Sequence, residues 1–464
     1  MTPGRSDSLH ALIAASWLAV LMAVQSLPHT GAWRSLFVLL ALLQVGALLV
    51  ARFKRGTQPI SSSLEFPEPA KGPTPSFWLA LLTAWLIIQT LFIAPDPMAA
   101  FGAFSHEWGK LLGMILLGIV IAALITSKEQ RYQKWLVTGL FAGYFAHVIF
   151  TLVYQAWWWW QTGTLGRRES LLGNYGHISP LIVTAQALLL ADLASRLSIR
   201  RQLLPISNRL VAAAITLSLL AALPLTAKAG LIMNYVLAMA FLAVVMGRDA
   251  RHRLWSAGGV VLVLALITVL NIAVENRWSD AWSAIVSAQR VATSPPASSS
   301  PAPQAERMDS AEAPPPSPTA VVLEPSAGVD PSFYVRSLSA KIGLQAIREN
   351  PLGLGYGGDA YGRHMLQTFG VRGPISSESG WIDFALANGV PGLALLLAWA
   401  WALARLGWQA FRHGNPAGLA LCFVTINYFV RCGLDGFLAG SRLTSFGLMA
   451  GVLWYLSTTQ KAQE

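Results

Sequence analysis

Charged residues are scarce in this sequence. Asp, Glu, Lys and Arg together make up 12% of its 464 residues, whereas hydrophobic residues make up 54%. Soluble globular chains usually carry about 25% charged residues. So little charge cannot cover a water-facing surface around this much apolar side chain, which excludes a soluble multi-domain protein. The composition instead indicates helices that face the hydrocarbon of a membrane.

Cysteine is nearly absent as well. The two cysteines, Cys422 and Cys432, lie within one apolar segment, so we expect no disulfide framework. No cluster of His, Cys and Asp has the spacing of metal ligands, so we predict neither a structural nor a catalytic zinc site. The glycine-rich sequence at 355–358 lacks the Lys and the Ser or Thr that complete a nucleotide-binding loop. None of these patterns predicts a cofactor.

Long apolar stretches, by contrast, are abundant. A helix needs about 20 mostly apolar residues to cross the hydrocarbon core. The segments that meet this requirement, about twelve in number, are 9–27, 35–51, 76–95, 108–126, 134–157, 177–195, 210–227, 229–247, 254–273, 384–404, 415–433 and 440–457. We therefore predict an all-α polytopic membrane protein, with spans one to nine in residues 1–273 and spans ten to twelve in residues 384–464.

Basic residues predict the orientation of these helices. Lys and Arg concentrate in alternate connections, including those at 52–71, 196–209 and 248–253, and this bias marks the cytoplasmic side. Both termini are then cytoplasmic. Loops loaded in this way account for the net charge of +11, so the charge does not indicate nucleic-acid binding.

Some basic residues run against this bias. They lie in short connections on the predicted outer side and are Arg34, Arg167, Arg168, Lys228, Arg431 and Arg442. Each of them either extends toward lipid headgroups or faces an anionic partner. The planar fork of Arg suits phosphate oxygens, while Lys acts as a point charge. Lys228 is the hardest to explain by headgroup contact, because it lies between two apolar segments.

One large loop, at 274–383, lies on the predicted outer side. Its stretch at 294–328 is rich in Pro, Ser and Ala and is predicted to be disordered. Residues 330–383 are predicted to be ordered, and apolar residues recur there every three or four positions over 333–350, which predicts an amphipathic helix. Pro351 ends that helix, and a flexible glycine-rich turn follows it.

The loop ends in a polar motif just before the tenth span. Serines at 376–379 accompany Glu378 and Asp383. Such residues commonly cap the start of a helix. The alternative is that Glu378 acts as a general base at the outer face. The lone histidines, His177 and His364, are more typical of satisfied polar groups than of catalysts.

In their order along the chain, these features resemble the O-antigen ligase and polymerase superfamily of bacterial membrane glycosyltransferases. The likeness covers most of the chain: about twelve spans, a large late loop, an amphipathic helix, the turn at 350–358 and a motif ending in Gly389-Val-Pro-Gly-Leu. The resemblance implies a multi-pass protein of the bacterial inner membrane with the large loop in the periplasm.

Two signatures of that family fall on altered residues here. Its ligases typically have a His separated by ten residues from a Gly, and this sequence has Glu378 and Gly389 at that spacing. They also have an Arg separated by three residues from a Leu, and the best match has Lys228 and Ile232. Lys228 keeps the charge but loses the fork of donors. Glu378 can accept a proton but cannot donate one from a cationic state.

The resemblance implies metal-independent transfer of a saccharide from undecaprenyl diphosphate. Arg168, Lys228 and Arg336 would bind the diphosphate and stabilise the charge that develops on the leaving group. Glu378 would deprotonate the acceptor hydroxyl, which attacks the anomeric carbon in one inverting displacement. On this reading Glu378 and Lys228 are the catalytic residues.

Further residues are candidates for the pocket that holds donor or acceptor: His177, Tyr356, Asp359 and His364. The expected partners are a lipid-linked glycan, a lipid A–core or other glycan or protein acceptor, and membrane lipids. An O-antigen ligase is the first hypothesis. An O-antigen or exopolysaccharide polymerase and a protein O-oligosaccharyltransferase stay open. A transporter or flippase is the rival from another class, and it predicts ionisable residues at mid-membrane depth and repeated halves, of which the sequence has little.

Overall fold

A computed structural model gives the architecture of most of the chain. It describes residues 3–24, 30–54, 73–126, 130–164, 169–171, 173–225, 228–246, 258, 265, 283–288, 331–357, 359–369, 376–436, 438 and 440–459. The predicted ninth span at 254–273 lies largely outside these residues. The low-complexity stretch at 294–328 lies wholly outside them.

The described residues form helices and one short strand pair. The helices are α1 (Pro3–Val24), α2 (Gly31–Lys54), α3 (Pro75–Ile88), π1 (Gln89–Ile93), α4 (Pro97–Phe104), π2 (Ser105–Gly109), α5 (Lys110–Thr126), α6 (Gln130–Thr162), α7 (Tyr175–Ile199), α8 (Asn208–Leu225), α9 (Lys228–Val245), α10 (Pro331–Glu349), α11 (Ala360–Phe369), α12 (Gly380–Arg412), α13 (Pro416–Cys432) and α14 (Gly440–Thr459). Strands β1 (Glu169–Ser170) and β2 (Gly173–Asn174) pair antiparallel. The all-α prediction is confirmed for the described chain, with this pair as a minor addition.

Several of these helices are long and apolar enough to cross a membrane. Six such stretches occur among the described residues: Gly31–Val50, Pro75–Ile93, Pro97–Thr126, Tyr132–Thr162, Ile178–Ile199 and Gly380–Arg412. Shorter apolar helices cover Ser8–Val24, Asn208–Ala222, Ile232–Val245 and Pro416–Cys432. Each predicted span other than 254–273 coincides with a helix. The count of twelve and the periplasmic position of the large loop stay predictions.

Small residues let helices of the bundle pack closely. Where α5 crosses α14, a Cβ atom at Gly118 would lie 2.5 Å from the carbonyl oxygen of Leu448. Lipid is as apolar as the helix surfaces, so association between such helices depends on close van der Waals packing. A larger side chain at Gly118 would push α5 and α14 apart.

The glycine-rich turn that follows α10 docks onto a break inside α12. Gly389 has a φ of 73° and interrupts the helix two residues before Pro391. The N–H of Val390 therefore donates to the carbonyl of Pro351 at 2.8 Å, and the N–H of Leu354 donates to the carbonyl of Leu386 at 2.8 Å. These two bonds replace helical ones that the break removes.

Side chains from α3 and π1 complete this junction. The indole N–H of Trp85 donates to the carbonyl of Asn388 at 2.8 Å. The side-chain amide of Gln89 donates to the carbonyl of Leu352 at 2.7 Å. The turn at 351–355 is thus hydrogen-bonded on both sides, and the prediction that it is flexible is wrong. A run of glycines permits close docking as well as mobility, and its local sequence does not distinguish the two.

Helix α10 presents its apolar face to the start of α12. Leu338, Ile342 and Ala346, spaced by four, are all buried. A Cβ atom at Gly343 would overlap the side chain of Ile382, so the two helices approach closely there. This packing brings the polar residues at the start of α10 next to the first turn of α12.

Candidate functional site

A cluster of charged side chains lies where α10, α12, α13 and α14 meet. The guanidinium of Arg336 on α10 lies 3.4 Å from the carboxylate of Asp435 and 3.6 Å from that of Glu378. It also donates to the carbonyl of Leu434 at 3.3 Å. The structure therefore brings together two predicted site residues, Arg336 and Glu378, and adds Asp435, which sequence reasoning missed.

Arg431 at the end of α13 joins the same cluster. Its guanidinium lies 3.3 Å from the carboxylate of Asp435 and donates to the hydroxyl of Ser179 on α7 at 3.3 Å. Only 3% of the Arg431 side chain is exposed, and a buried charge is tolerated when an opposite charge and hydrogen bonds compensate for lost water. Of the two explanations for a cation on the predicted outer side, the anionic partner applies to Arg431.

Arg442, in the first turn of α14, lies within electrostatic range of the cluster. The charges of Asp435 and Glu378 both act on its guanidinium. Three arginines from three helices thus converge on two carboxylates. Arg431 and Arg442 were notable in the sequence only as cations in the last connection. Asp435 had no signal there beyond its position four residues after Arg431.

Glu378 itself occupies a strained backbone position. Its φ is 62°, a left-handed conformation that L-residues other than Gly adopt at a cost. Its N–H donates to the hydroxyl of Ser376 at 3.1 Å, and 47% of its side chain is exposed. Strain of this kind is retained where surrounding structure imposes it, and it is common at functional sites.

The serines around Glu378 do not cap the N-terminus of α12 with their side chains; they form hydrogen bonds to Asp383 and to the end of α13. Ser376 donates its hydroxyl to the carboxylate of Asp383 at 2.6 Å, and the N–H of Ser377 donates to the same carboxylate at 2.8 Å. Ser379 occupies the N-cap position but donates its hydroxyl to the carbonyl of Gly433 at 3.1 Å. The motif is therefore joined to the end of α13, so its geometry depends on how α12 and α13 pack.

Tyr356 lies in a cavity beside this cluster. Its hydroxyl donates to the carboxylate of Glu107, on π2, at 3.2 Å. Burial and the neighbouring Glu107 charge raise the pKa of Tyr356 well above its usual value, so the phenol stays protonated. Glu107 had no signal in the sequence, because it precedes an apolar span by one residue and matches no motif.

Asp359 and His364 have contacts within their own segment. Asp359 forms an ion pair with Arg363 at 3.0 Å, and Arg363 donates to the carbonyl of Gly355 at 3.2 Å. His364 is buried, and its ring lies edge-on to Phe369. Burial lowers the pKa of His364, which makes a cationic phosphate-binding role unfavourable near neutral pH. No described contact joins either residue to the charged cluster.

The remaining predicted residues are only partly within the described chain. Arg168 lies outside it, and the side chains of Lys228 and His177 do too. Lys228 is the first residue of α9, and His177 lies in the first turn of α7. Helix α9 packs against α7 and α13, the helices that carry Ser179 and Arg431.

The described residues include no group of three or more His, Cys, Asp or Glu that could hold a metal ion. That the site is free of metal stays a prediction from the sequence. The described polar groups offer guanidinium donors, carboxylates and hydroxyls, which together can bind an anion and accept a proton.

Residues 212–397 match the model of the family described as O-antigen ligase. This segment contains Lys228, Arg336, Glu378 and the break at Gly389. This match supports the resemblance to the O-antigen ligase and polymerase superfamily that the sequence predicted. No curated protein matches the chain significantly. The match supports a membrane protein of glycosyltransferase type with a lipid-linked glycan and an acceptor as substrates. Arg431, Asp435 and Arg442 lie beyond the matched segment.

Proposed function

We propose that this protein transfers a saccharide from undecaprenyl diphosphate to a hydroxyl of lipid A–core at the periplasmic face of the inner membrane. The observation that carries this proposal is the Arg336 guanidinium, shared between Glu378 and Asp435 inside a cluster of arginines. The family match supports the reaction class. It also favours a transferase over a transporter or flippase.

The arginine cluster suits the diphosphate of the donor. Charge-assisted N–H···O bonds are typically about 2.7–2.9 Å long, whereas Arg336 lies 3.4 and 3.6 Å from its two carboxylates. Diphosphate oxygens can therefore offer Arg336 shorter bonds than it has now. In this scheme Lys228 and Arg168 would add further cations.

Donor binding would also release Glu378. In the structure its carboxylate lies 3.6 Å from the Arg336 guanidinium. When the diphosphate takes over the guanidinium, the Glu378 carboxylate is available to accept the proton of the acceptor hydroxyl. The acceptor oxygen then forms a bond to the anomeric carbon while the bond from that carbon to the diphosphate oxygen breaks. The electron pair leaves with undecaprenyl diphosphate, whose new charge the arginines stabilise.

Complementation of a deletion strain tests the role of Glu378. Glu378→Gln keeps the shape of the side chain but cannot take up the proton, so cell-surface glycan on gels should fall at least ~100-fold. Glu349→Gln is the matched control, because Glu349 is exposed and bonds to Gln345 on its own helix. It should support normal glycan. Normal glycan from a membrane-inserted Glu378→Gln protein would refute the assignment of the base.

The same deletion strain distinguishes a ligase from its relatives. Unmodified lipid A–core together with accumulated lipid-linked glycan supports the ligase. Surface glycan restricted to single repeats would instead indicate a polymerase, and loss of glycan from proteins alone would indicate a protein O-oligosaccharyltransferase.

A further inference from the structure

The cavity that contains Tyr356 is a second polar feature next to the charged cluster. Its volume is about 140 Å³, which is room for about five waters at ~30 Å³ each. Its polar lining consists of Glu107, Tyr356, Ser376, Asp383 and Asn388, and glycines 357, 380 and 436 leave it open. A space of this size suits one sugar ring but not a lipid chain.

Asn388 contributes a buried acceptor to this cavity. The residue is 1% exposed and lies directly before the break in α12. Its side-chain N–H donates to the carbonyl of Phe384 at 3.1 Å. Its Oδ1 atom has no hydrogen-bond partner within the described part of the chain. A buried acceptor without a donor is costly, so the cavity wall is suited to a ligand that brings a donor.

Glu107, on π2, also lines the cavity. Short π-helical segments inside longer helices are frequent at functional sites. Tyr356 donates to one oxygen of the Glu107 carboxylate, and an ionised carboxylate can accept several more hydrogen bonds. The wall formed by Glu107, Asp383 and Asn388 is thus rich in acceptors.

The lining also excludes the anionic part of the donor. None of the described residues that line the cavity is Lys or Arg, and two of them are carboxylates. Phosphate oxygens would be repelled there, whereas neutral hydroxyl groups would be bound. Phe384 and the Tyr356 ring supply apolar contact for the C–H face of a sugar. Charge therefore divides the site into an arginine part and an acceptor-lined part.

We infer that the cavity is a saccharide-binding subsite in which Glu107, Tyr356 and Asn388 hold the hydroxyl groups of one neutral sugar ring. The inference rests on the proposed function, because Ser376 lines the cavity and also accepts from the N–H of Glu378. A sugar bound here lies beside the base. Two sources offer this chemistry: the first sugar of the donor and the terminal sugar of the acceptor.

Steady-state kinetics of the detergent-purified full chain tests the subsite. The donor is lipid-linked glycan extracted from the deletion strain, and the acceptor is the unmodified lipid A–core of the same cells. Tyr356→Phe and Asn388→Leu each remove a hydrogen bond to the sugar, so KM should rise about 10-fold while kcat changes little. A rise for the acceptor alone identifies the acceptor sugar, and a rise for the donor alone identifies the donor sugar.

Tyr361→Phe is the matched control, because Tyr361 is buried on α11 but is not part of the cavity lining. Its KM values should match those of the unaltered protein. Glu107→Gln separates a sugar from a cation as the ligand. A sugar subsite keeps most of its affinity, since the amide oxygen still accepts, whereas a cation site loses its affinity and responds to chelator.

Unchanged KM values in the folded Tyr356→Phe and Asn388→Leu proteins would overturn the inference. A divalent-cation dependence of the unaltered protein that is lost in Glu107→Gln would overturn it as well. If Asn388→Leu fails to fold, Tyr356→Phe, whose ring is kept, decides the matter. Failure of the proposed function has another signature: Glu378→Gln would keep its kcat, whatever the KM values of the cavity variants.

Discussion

Two groups of arginines and carboxylates lie at opposite ends of the bundle, and they differ in how completely their charges are paired and hydrogen-bonded. Near the end of α7, Asp192 is fully buried and accepts from Arg196 at 2.8 Å and from the N–H groups of Leu203 and Leu204 at 2.7 and 3.1 Å. Arg196 also donates to Asn208 at 2.8 Å. Each of these bonds has an ordinary length, and together they hold the connection between α7 and α8.

The cluster around Arg336 has the same residue types in a looser arrangement. Its ion pairs measure 3.3 to 3.6 Å, about a third of the Arg336 side chain is exposed, and Glu378 has a strained backbone. A network that is closed on itself contributes stability. A network that is partly exposed and imperfectly paired leaves its charges able to bind a ligand. The comparison predicts opposite effects of substitution at the two ends.

Asp192→Ala should cause the largest loss of stability. It leaves Arg196 buried without its partner, and breaking a buried pair in this way typically costs about 3–5 kcal/mol. Thermal unfolding of the detergent-purified protein measures the effect. Asp359→Ala is the matched control, since Asp359 forms an exposed pair with Arg363, and such pairs contribute at most about 1 kcal/mol. Equal losses at the two positions would remove the distinction between the networks.

Arg336→Ala should reduce glycan transfer strongly while changing stability little. The side chain is partly exposed, so stability should change by no more than about 1 kcal/mol. Glycan transfer should fall by about 10²–10³-fold, as when one donor to a developing negative charge is removed. Arg348→Ala, at an exposed position on the same helix, should leave transfer unchanged. An inactive protein that is also strongly destabilised would mean that Arg336 serves the fold instead.

Glu378→Gly should have the smallest effect on stability, and its sign should be favourable. Gly relieves a left-handed strain of about 1–2 kcal/mol, and the greater freedom of the unfolded chain offsets about 0.4–1 kcal/mol of that. A slightly higher melting temperature together with lost transfer would identify strain kept for function. A lower melting temperature would show that the Glu378 side chain stabilises the cluster.

Local pattern was sufficient for the helices but not for the site. Apolar length predicted the helical segments, and four-residue spacing predicted the buried face of α10. The turn after Pro351 was misjudged, because the bonds that hold it come from Gln89 and from the break in α12, outside its own segment. Reversed charge bias singled out Arg431 and Arg442, but it did not indicate that they share Asp435 with Arg336.

The sequence by itself determined that this is an α-helical protein with membrane-type helices and a resemblance to the O-antigen ligase and polymerase superfamily. Helix formation depends on the composition and periodicity of a few neighbouring turns, so it can be predicted from the local sequence. Only tertiary structure decided which polar groups meet. The hydroxyl of Tyr356 finds a carboxylate 249 positions away, and Arg336 finds a carbonyl 98 positions away. Such pairs depend on how helices cross, and no local spacing encodes that.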